Sequence, residues 1–359
     1  MPTTTTRSAS GETLNANQQG RDDAVLSVSN LSVVFGEGPS RVLALDKVSL
    51  DVRRGEVLSL VGESGCGKSV TAMAVMGLLP RRGVERRADT LSLCGESVLG
   101  LSERRLKRLR GGRMGIVFQD PMTSLNPVHT IGTQIGENIR RHKGVGWAEA
   151  RRRTLELLDR VRIPDAARRI DAFPHELSGG MRQRVMIALA TACDPALLIA
   201  DEPTTALDVT IQAQILTLLR DLSADTGMGI LLITHDLGVV AETADRVAVM
   251  YAGRIVEMGT VEEVFARPSH GYTAGLMRAL PGEAAAPRSR LSEIEGTVPR
   301  IATPPEGCAF APRCAFAREI CAGPLGDVAV GSDSHRSACA RTDAVFQSVR
   351  DLDIVRAWE

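Results

Sequence analysis

Apolar positions follow two rhythms along this chain. Ala24–Val34 alternates apolar with polar residues, and Val42–Val52 does so again before the turn Arg54-Gly55-Glu56, which predicts two half-buried strands. Short apolar runs at Val57–Val61, Leu197–Ala200, Ile230–Thr234 and Val247–Met250 are strand-length and predict strands buried on both faces. Thr90–Cys94 and Arg113–Gln119 are strand-like, the second running into the turn Asp120-Pro121. Between these runs the spacing lengthens to three and four residues. Val70–Met76, a Leu-bearing stretch near Leu101–Leu109, and Thr130–Val161 with Leu155, Leu158 and Val161 read as helical, and a further helix is expected after Leu177-Ser178-Gly179-Gly180. Strands alternating with helices predict a mostly parallel α/β sheet. The helical block between Gln119 and Leu189 predicts an inserted subdomain, at about 120–190.

Two stretches fall outside these rhythms. Met1–Asp22 is rich in Thr, Ser, Asn and Gln and is expected to be a disordered lead-in; it lacks the apolar segment of a secretory signal. Pro281–Arg290, rich in Pro, Ala and Gly, reads as a linker, and residues 281–359 as a separate C-terminal region after a main domain over 23–280.

One loop changes the picture. Gly62-Glu63-Ser64-Gly65-Cys66-Gly67-Lys68-Ser69 fits the phosphate-binding pattern, with a buried strand before it and an apolar helix after it. Glycines let the backbone curl so that successive N–H groups point at a polyanion, and the helix N-terminus adds positive partial charge. Lys68 can reach the β- and γ-phosphates, and the Ser69 hydroxyl can ligate Mg²⁺. A Gly-rich turn matching by chance would not carry strand and helix on both sides. The chain is expected to bind a nucleoside triphosphate.

Composition narrows the partners. Lys plus Arg equals Asp plus Glu at 43 each, and aromatics make up 3%, so neither overall charge nor stacking residues point to nucleic acid. No apolar run approaches the roughly 18 residues that span a bilayer. Seven cysteines without an export signal argue for reduced thiols or a metal site. Cys94 and Cys193 read as small core residues, whereas Cys66, in the phosphate loop, is expected to be sensitive to alkylation and protected by ATP.

The apolar strand Leu197–Ala200 ends in Asp201-Glu202. Asp201 is placed to hold Mg²⁺, and Glu202, facing differently, to polarise the attacking water. An acidic turn is the common alternative, and Pro203 and the loop Thr204–Asp208 weigh against it. His235 and Gln119 end other strands; alone each would be an ordinary surface residue. Here His235 can donate to the γ-phosphate, and Gln119 can contact Mg²⁺ or position water.

With Leu177-Ser178-Gly179-Gly180-Met181 added, the sequence resembles the ATP-binding subunits of ABC transporters, over roughly Ala24 to Leu280 and with every motif in order. The resemblance implies a P-loop NTPase (RecA-like) core with an inserted α-helical subdomain and a small Cys-containing C-terminal region. It also implies that Ser178, Gly179, Gly180 and Asp208 contact nucleotide bound by a second ATPase subunit, and that Phe35 stacks on adenine. Met181 stands where glutamine is common, and Val70 where a second hydroxyl is common; neither removes a catalytic group.

Gln119–Pro127, Leu177–Arg184 and His270-Gly271-Tyr272-Thr273 look like the oligopeptide/dipeptide importer branch. That implies two transmembrane permease subunits, an extracytoplasmic substrate-binding protein, and a place on the cytoplasmic face of the membrane. A nickel or oligosaccharide importer is the alternative cargo reading, and a soluble ABC ATPase the alternative outside transport. Cys308, Cys314, Cys321 and Cys339, separated by five, six and seventeen residues, suit a metal centre folding a core-poor segment. Zinc, an iron–sulfur cluster and free thiols are all compatible; the resemblance favours [4Fe–4S].

Overall fold

The strands run, in chain order, β1 (Ala24–Phe35), β2 (Val42–Arg53), β3 (Val57–Val61), β4 (Val84–Arg87), β5 (Thr90–Leu93), β6 (Glu96–Ser97), β7 (Met114–Val117), β8 (Leu197–Asp201), β9 (Gly229–Thr234), β10 (Arg246–Tyr251), β11 (Arg254–Thr260), β12 (Val328–Val330) and β13 (Ser332–Ser337). The helices are α1 (Lys68–Val75), α2 (Glu103–Leu109), α3 (Ile131–Lys143), α4 (Trp147–Arg160), α5 (Ala166–Arg169), α6 (Gly179–Thr191), α7 (Val209–Thr226), α8 (Leu237–Thr243), α9 (Val261–Ala266), α10 (Gly271–Arg278) and α11 (Thr342–Val349). The structure, a computed structural model, describes residues 23–120, 124–205, 207–280, 294–352 and 355. The expected lead-in Met1–Asp22, the linker Pro281–Arg290 and part of the loop after Gln119 lie outside the described residues.

The alternating segments build a five-stranded antiparallel sheet, ordered β2-β1-β5-β6 with β4 also on β1. The all-apolar runs build the other sheet, ordered β12-β13-β11-β10-β3-β9-β8-β7, in which β10, β3, β9, β8 and β7 are parallel. Its central strands are buried on both faces, and their side chains divide between two cores. Leu198, Ala200, Ile230 and Leu232 pack with α3, α4, α6 and α7, while Leu197, Ile199, Leu231 and Ile233 pack against β1, β2 and α1. This two-sided burial is why alternation is absent there and present in β1 and β2.

Three features depart from the expected pattern. The helical stretch Thr130–Val161 is two helices, because Gly144 (φ 69°) caps α3 in the left-handed conformation, its N–H donating to Arg140 O. β11 turns back antiparallel on β10. Residues of the C-terminal region then extend the same sheet: β13 pairs with β11 through Glu257–Ser337 and Met258–Arg336, and β12 pairs with β13. A third core, holding Tyr251, Phe265, Tyr272, Phe310, Val345 and Val349, fixes that region to β10, α9 and α10.

Candidate nucleotide site

The phosphate loop leaves the carboxyl end of β3 and enters α1 at Lys68. Its shape requires glycine at two points. A Cβ on Gly62 would lie 2.2 Å from Met250 O, and one on Gly67 (φ 116°) 2.9 Å from Ala44 O. Lys68 is buried and folds back over its own loop, donating to Gly62 O at 2.6 Å and Glu63 O at 3.1 Å.

Asp201, at the end of β8, lies beside the Ser69 hydroxyl, so two residues each expected to hold Mg²⁺ come together. Burial pushes its carboxyl pKa up, the neighbouring Glu202 charge adds to this, and Ser69 and Lys68 oppose it. Its Oδ1 is buried with no hydrogen-bond partner. An orphaned carboxylate oxygen beside a serine hydroxyl has the chemistry a hard divalent cation satisfies, so the residues present fit Mg²⁺.

Glu202 sits in the left-handed region (φ 47°), and its N–H donates to Ile233 O at 2.9 Å. Its Oε2 accepts from Gln119 Nε2 at 2.9 Å and from Thr205 Oγ1 at 3.0 Å, and His235 Nδ1 lies 3.4 Å from Oε1. Gln119, Glu202 and His235 therefore meet, each at the end of a different strand. Thr205 is a partner the sequence reading missed; its only signal was its place in the loop after Glu202.

These residues line one cleft of about 850 Å³. Gly62, Ser64, Gly65, Gly67, Lys68, Ser69 and Val70 line its middle, and Gln119, Glu202, Thr205 and His235 one end. Val42–Ala44, Ala252, Gly253, Leu276 and Val298–Ile301 form the rest of the wall. Phe35 is not brought to it: this half-buried residue ends β1, opposite Val42 and Val84, and packs on the core between the sheets. Cys66 is 1% exposed within that same core and burial raises its thiol pKa, so the expected alkylation sensitivity is corrected: a loop position does not make this thiol accessible.

Ser178 and Asp208 lie outside the cleft. Ser178 caps α6, accepting from Met181 N, and Asp208 caps α7, accepting from Ile211 N at 2.9 Å. Ser178 and Gly179 are exposed, and a Cβ on Gly180 would lie 2.8 Å from Ile211 Cγ2, so only glycine lets α6 approach α7 this closely.

Cys308, Cys314, Cys321 and Cys339 line a single cavity with His270, Phe310 and Phe316. Cys308 Sγ is 3.7 Å from His270 Nε2. The ligand type matches the expectation of a metal centre, but the packing does not. The cavity is about 10 Å³, about one water's worth, and among the described residues no group of three His, Cys, Asp or Glu is arranged to hold a metal ion. A four-iron cluster is too large for these walls as they stand. Burial raises the thiol pKa of Cys308 and Cys314 and pushes that of Cys339 up to about 11.

A phosphate loop, a strand ending in Asp-Glu, and strand-end Gln and His meeting at one cleft define a P-loop nucleoside triphosphatase of the ABC type. The ABC transporter family pattern matches residues 45–205, and that of the oligopeptide/dipeptide transporter C-terminal region matches 256–321. A putative peptide import ATP-binding protein of Brucella ovis is 52% identical over 327 residues, 88% of this chain and 97% of its own. A probable peptide ABC transporter ATP-binding protein of Sinorhizobium fredii is 51% identical, over 90% of this chain and 96% of its own. The dimeric structure of a bacterial ABC transporter cassette covers 66% of this chain and 98% of that chain, at 28% identity and a TM-score of 0.58. A post-hydrolysis structure of that cassette, bound to ADP and Pi, has a TM-score of 0.57 at 28% identity, again covering 66% of this chain and 98% of that one. The chain belongs to the ABC transporter family of ATP-binding proteins.

Proposed function

We propose that this chain is the ATP-hydrolysing subunit of an ABC importer for peptides. The single observation that carries the ATPase assignment is the meeting of Gln119, Glu202 and His235 beside the phosphate loop. The peptide cargo is supported by the names of the relatives and by the match to the oligopeptide/dipeptide C-terminal region.

Gly62–Ser69 and the N-terminus of α1 cradle the phosphates. Lys68 exchanges its two loop carbonyls for phosphate oxygens. Ser69, Asp201 and Gln119 would hold Mg²⁺, which would supply positive charge to offset that developing on the phosphates. Glu202, held on one oxygen by Gln119 and Thr205, takes the proton of the attacking water, and His235 donates to the γ-phosphate. Ser178, Gly179, Gly180 and Asp208, outside this chain's cleft, serve the site of a second ATPase subunit packed head to tail, so the two sites close together and reopen on hydrolysis. Two permease subunits and a substrate-binding protein complete the assembly, with this subunit peripheral on the cytoplasmic face. Among the described residues, no helix is long and apolar enough to cross a membrane.

A cluster at Cys308, Cys314, Cys321 and Cys339 remains part of the reading on ligand type alone; seating it requires the cavity walls to move. Iron, acid-labile sulfide and zinc assays on anaerobically purified protein test it, and absence of all three ends it.

Purification of the chain with its membrane partners tests the whole reading. Two permease subunits and ATP hydrolysis stimulated by a peptide-loaded binding protein are expected; hydrolysis without any membrane partner would leave the ATPase assignment and remove the importer.

A further inference from the structure

The cleft is wider than a triphosphate needs. Gln119, Glu202, Thr205 and His235 occupy its hydrolytic end, so the nucleoside has to extend toward the wall on the other side of the phosphate loop. Four of the ten residues of that wall come from the C-terminal region: Val298, Pro299, Arg300 and Ile301 line the same cleft as Lys68 and Ser69.

The segment is built in at both ends. Ile301 O accepts from Leu43 N at 2.7 Å, seating it against the start of β2. At the other end the Arg313 guanidinium donates to the carbonyls of Ile294, Glu295 and Gly296 at 3.0, 2.8 and 3.2 Å. The same guanidinium grips Glu63 of the phosphate loop. Ile294, Val298 and Ile301 also pack on the core that holds Tyr251 and Tyr272. The wall is thus fixed to the phosphate loop, while Phe35 faces the core between the sheets.

We infer that Val298–Ile301 form the nucleoside-binding wall of the ATP site. Val42, Val298 and Ile301 offer apolar surface to the flat base, and Arg300 offers a guanidinium that can lie on its π-face. Base affinity, and with it discrimination between nucleotides, then depends on a segment more than two hundred residues after the phosphate loop. This rests on the ATPase reading above.

The test compares ATP with inorganic tripolyphosphate, each with Mg²⁺, on the full chain and on the double variant V298A/R300A. Tripolyphosphate has no nucleoside, so it reports the phosphate loop alone. The variant is expected to bind ATP about three- to tenfold more weakly and tripolyphosphate unchanged. Equal weakening of both ligands, or of neither, overturns the inference. Photolabelling with 8-azido-ATP is expected to mark the peptide containing Val298–Ile301; label confined to the end of β1, or none on the C-terminal segment, overturns it as well. If the unmodified chain binds neither ligand, the ATPase reading itself falls, a result distinct from the others.

Discussion

Arg313 holds Glu63 across 250 positions of sequence, with Nη1 2.7 Å from Oε2 and Nη2 3.0 Å from Oε1. The arginine side chain is 9% exposed, and Tyr272 Oη accepts the Glu63 N–H at 2.7 Å. The second residue of the phosphate loop is therefore fixed on both sides by later parts of the chain. Arg313→Ala leaves a half-buried carboxylate without its bidentate partner and is expected to destabilise the chain by about 1.5–3 kcal/mol. Arg313→Lys cannot reproduce the fork and should recover only part of this. Thermal melts of both variants check it, and unchanged midpoints would contradict the assignment.

Glu202→Gln keeps the side chain's size and removes its basicity. Hydrolysis by the assembled complex should fall about a hundredfold or more, while ATP binding persists. Steady-state phosphate release alongside equilibrium nucleotide binding separates the two, and intact turnover would show that another group takes the proton.

Glu257 is buried beneath the junction of the two regions. It accepts from the backbone N–H groups of Ser269 and His270 at 2.7 and 2.9 Å, and lies 2.9 Å from His335 Nε2. Glu257→Ala strips three groups of their partner and is expected to cost about 3–5 kcal/mol. A urea titration of the variant measures it; a loss below 1 kcal/mol would mean that the cluster contributes no more than an exposed pair.

Glu263 gives the junction a pH signature. Burial works against its charge, but hydrogen bonds from Ser332, Ser334 and Thr260 prevail and hold its pKa down at about 2. A carboxylate depressed in the folded state stabilises it above the unfolded value near 4.5. That contribution is lost as pH falls from there toward 2. Glu263→Gln should therefore flatten the acid limb of the stability curve over that window and destabilise the chain at neutral pH. An acid limb of unchanged slope would contradict it.

The thiols should be slow to react. With Cys339 pushed up to about 11, and Cys66, Cys308 and Cys314 also raised by burial, maleimide labelling of the metal-free folded chain at pH 8 should be far slower than after denaturation. Equal rates would mean that the thiols are accessible.

What the sequence disclosed was whatever local pattern determines. Val57–Val61 is recognisable as β3 because an all-apolar run of that length has few other places to go, and the glycines of the phosphate loop mark its curl. Glu202, Gln119 and His235 could be assembled because each ends a strand of one parallel sheet. Ser332–Ser337 could not be read as a strand: Ser-Asp-Ser-His-Arg-Ser carries no alternation, and it is extended because β11 presents an edge to it. Arg254–Thr260 escaped for the related reason that its partners, β10 and β13, lie on either side of it in space. The Arg313 contact with Glu63 and the wall at Val298–Ile301 are tertiary throughout, and nothing near Phe35 signals that it packs inward.

The pairing of β13 on β11 also has a bearing on solubility. Strands at the rim of a sheet carry unpaired N–H and C=O groups that invite another chain to add on. A version of this protein ending at Leu280 would leave β11 as that rim and uncover the rings of Tyr251 and Tyr272, whose centroids now lie 5.1 and 5.3 Å from that of Phe310 in edge-on and tilted contact. Such a fragment would keep most of the residues around the phosphates and be prone to self-association, so a shortened cassette that precipitates would say little about its nucleotide site.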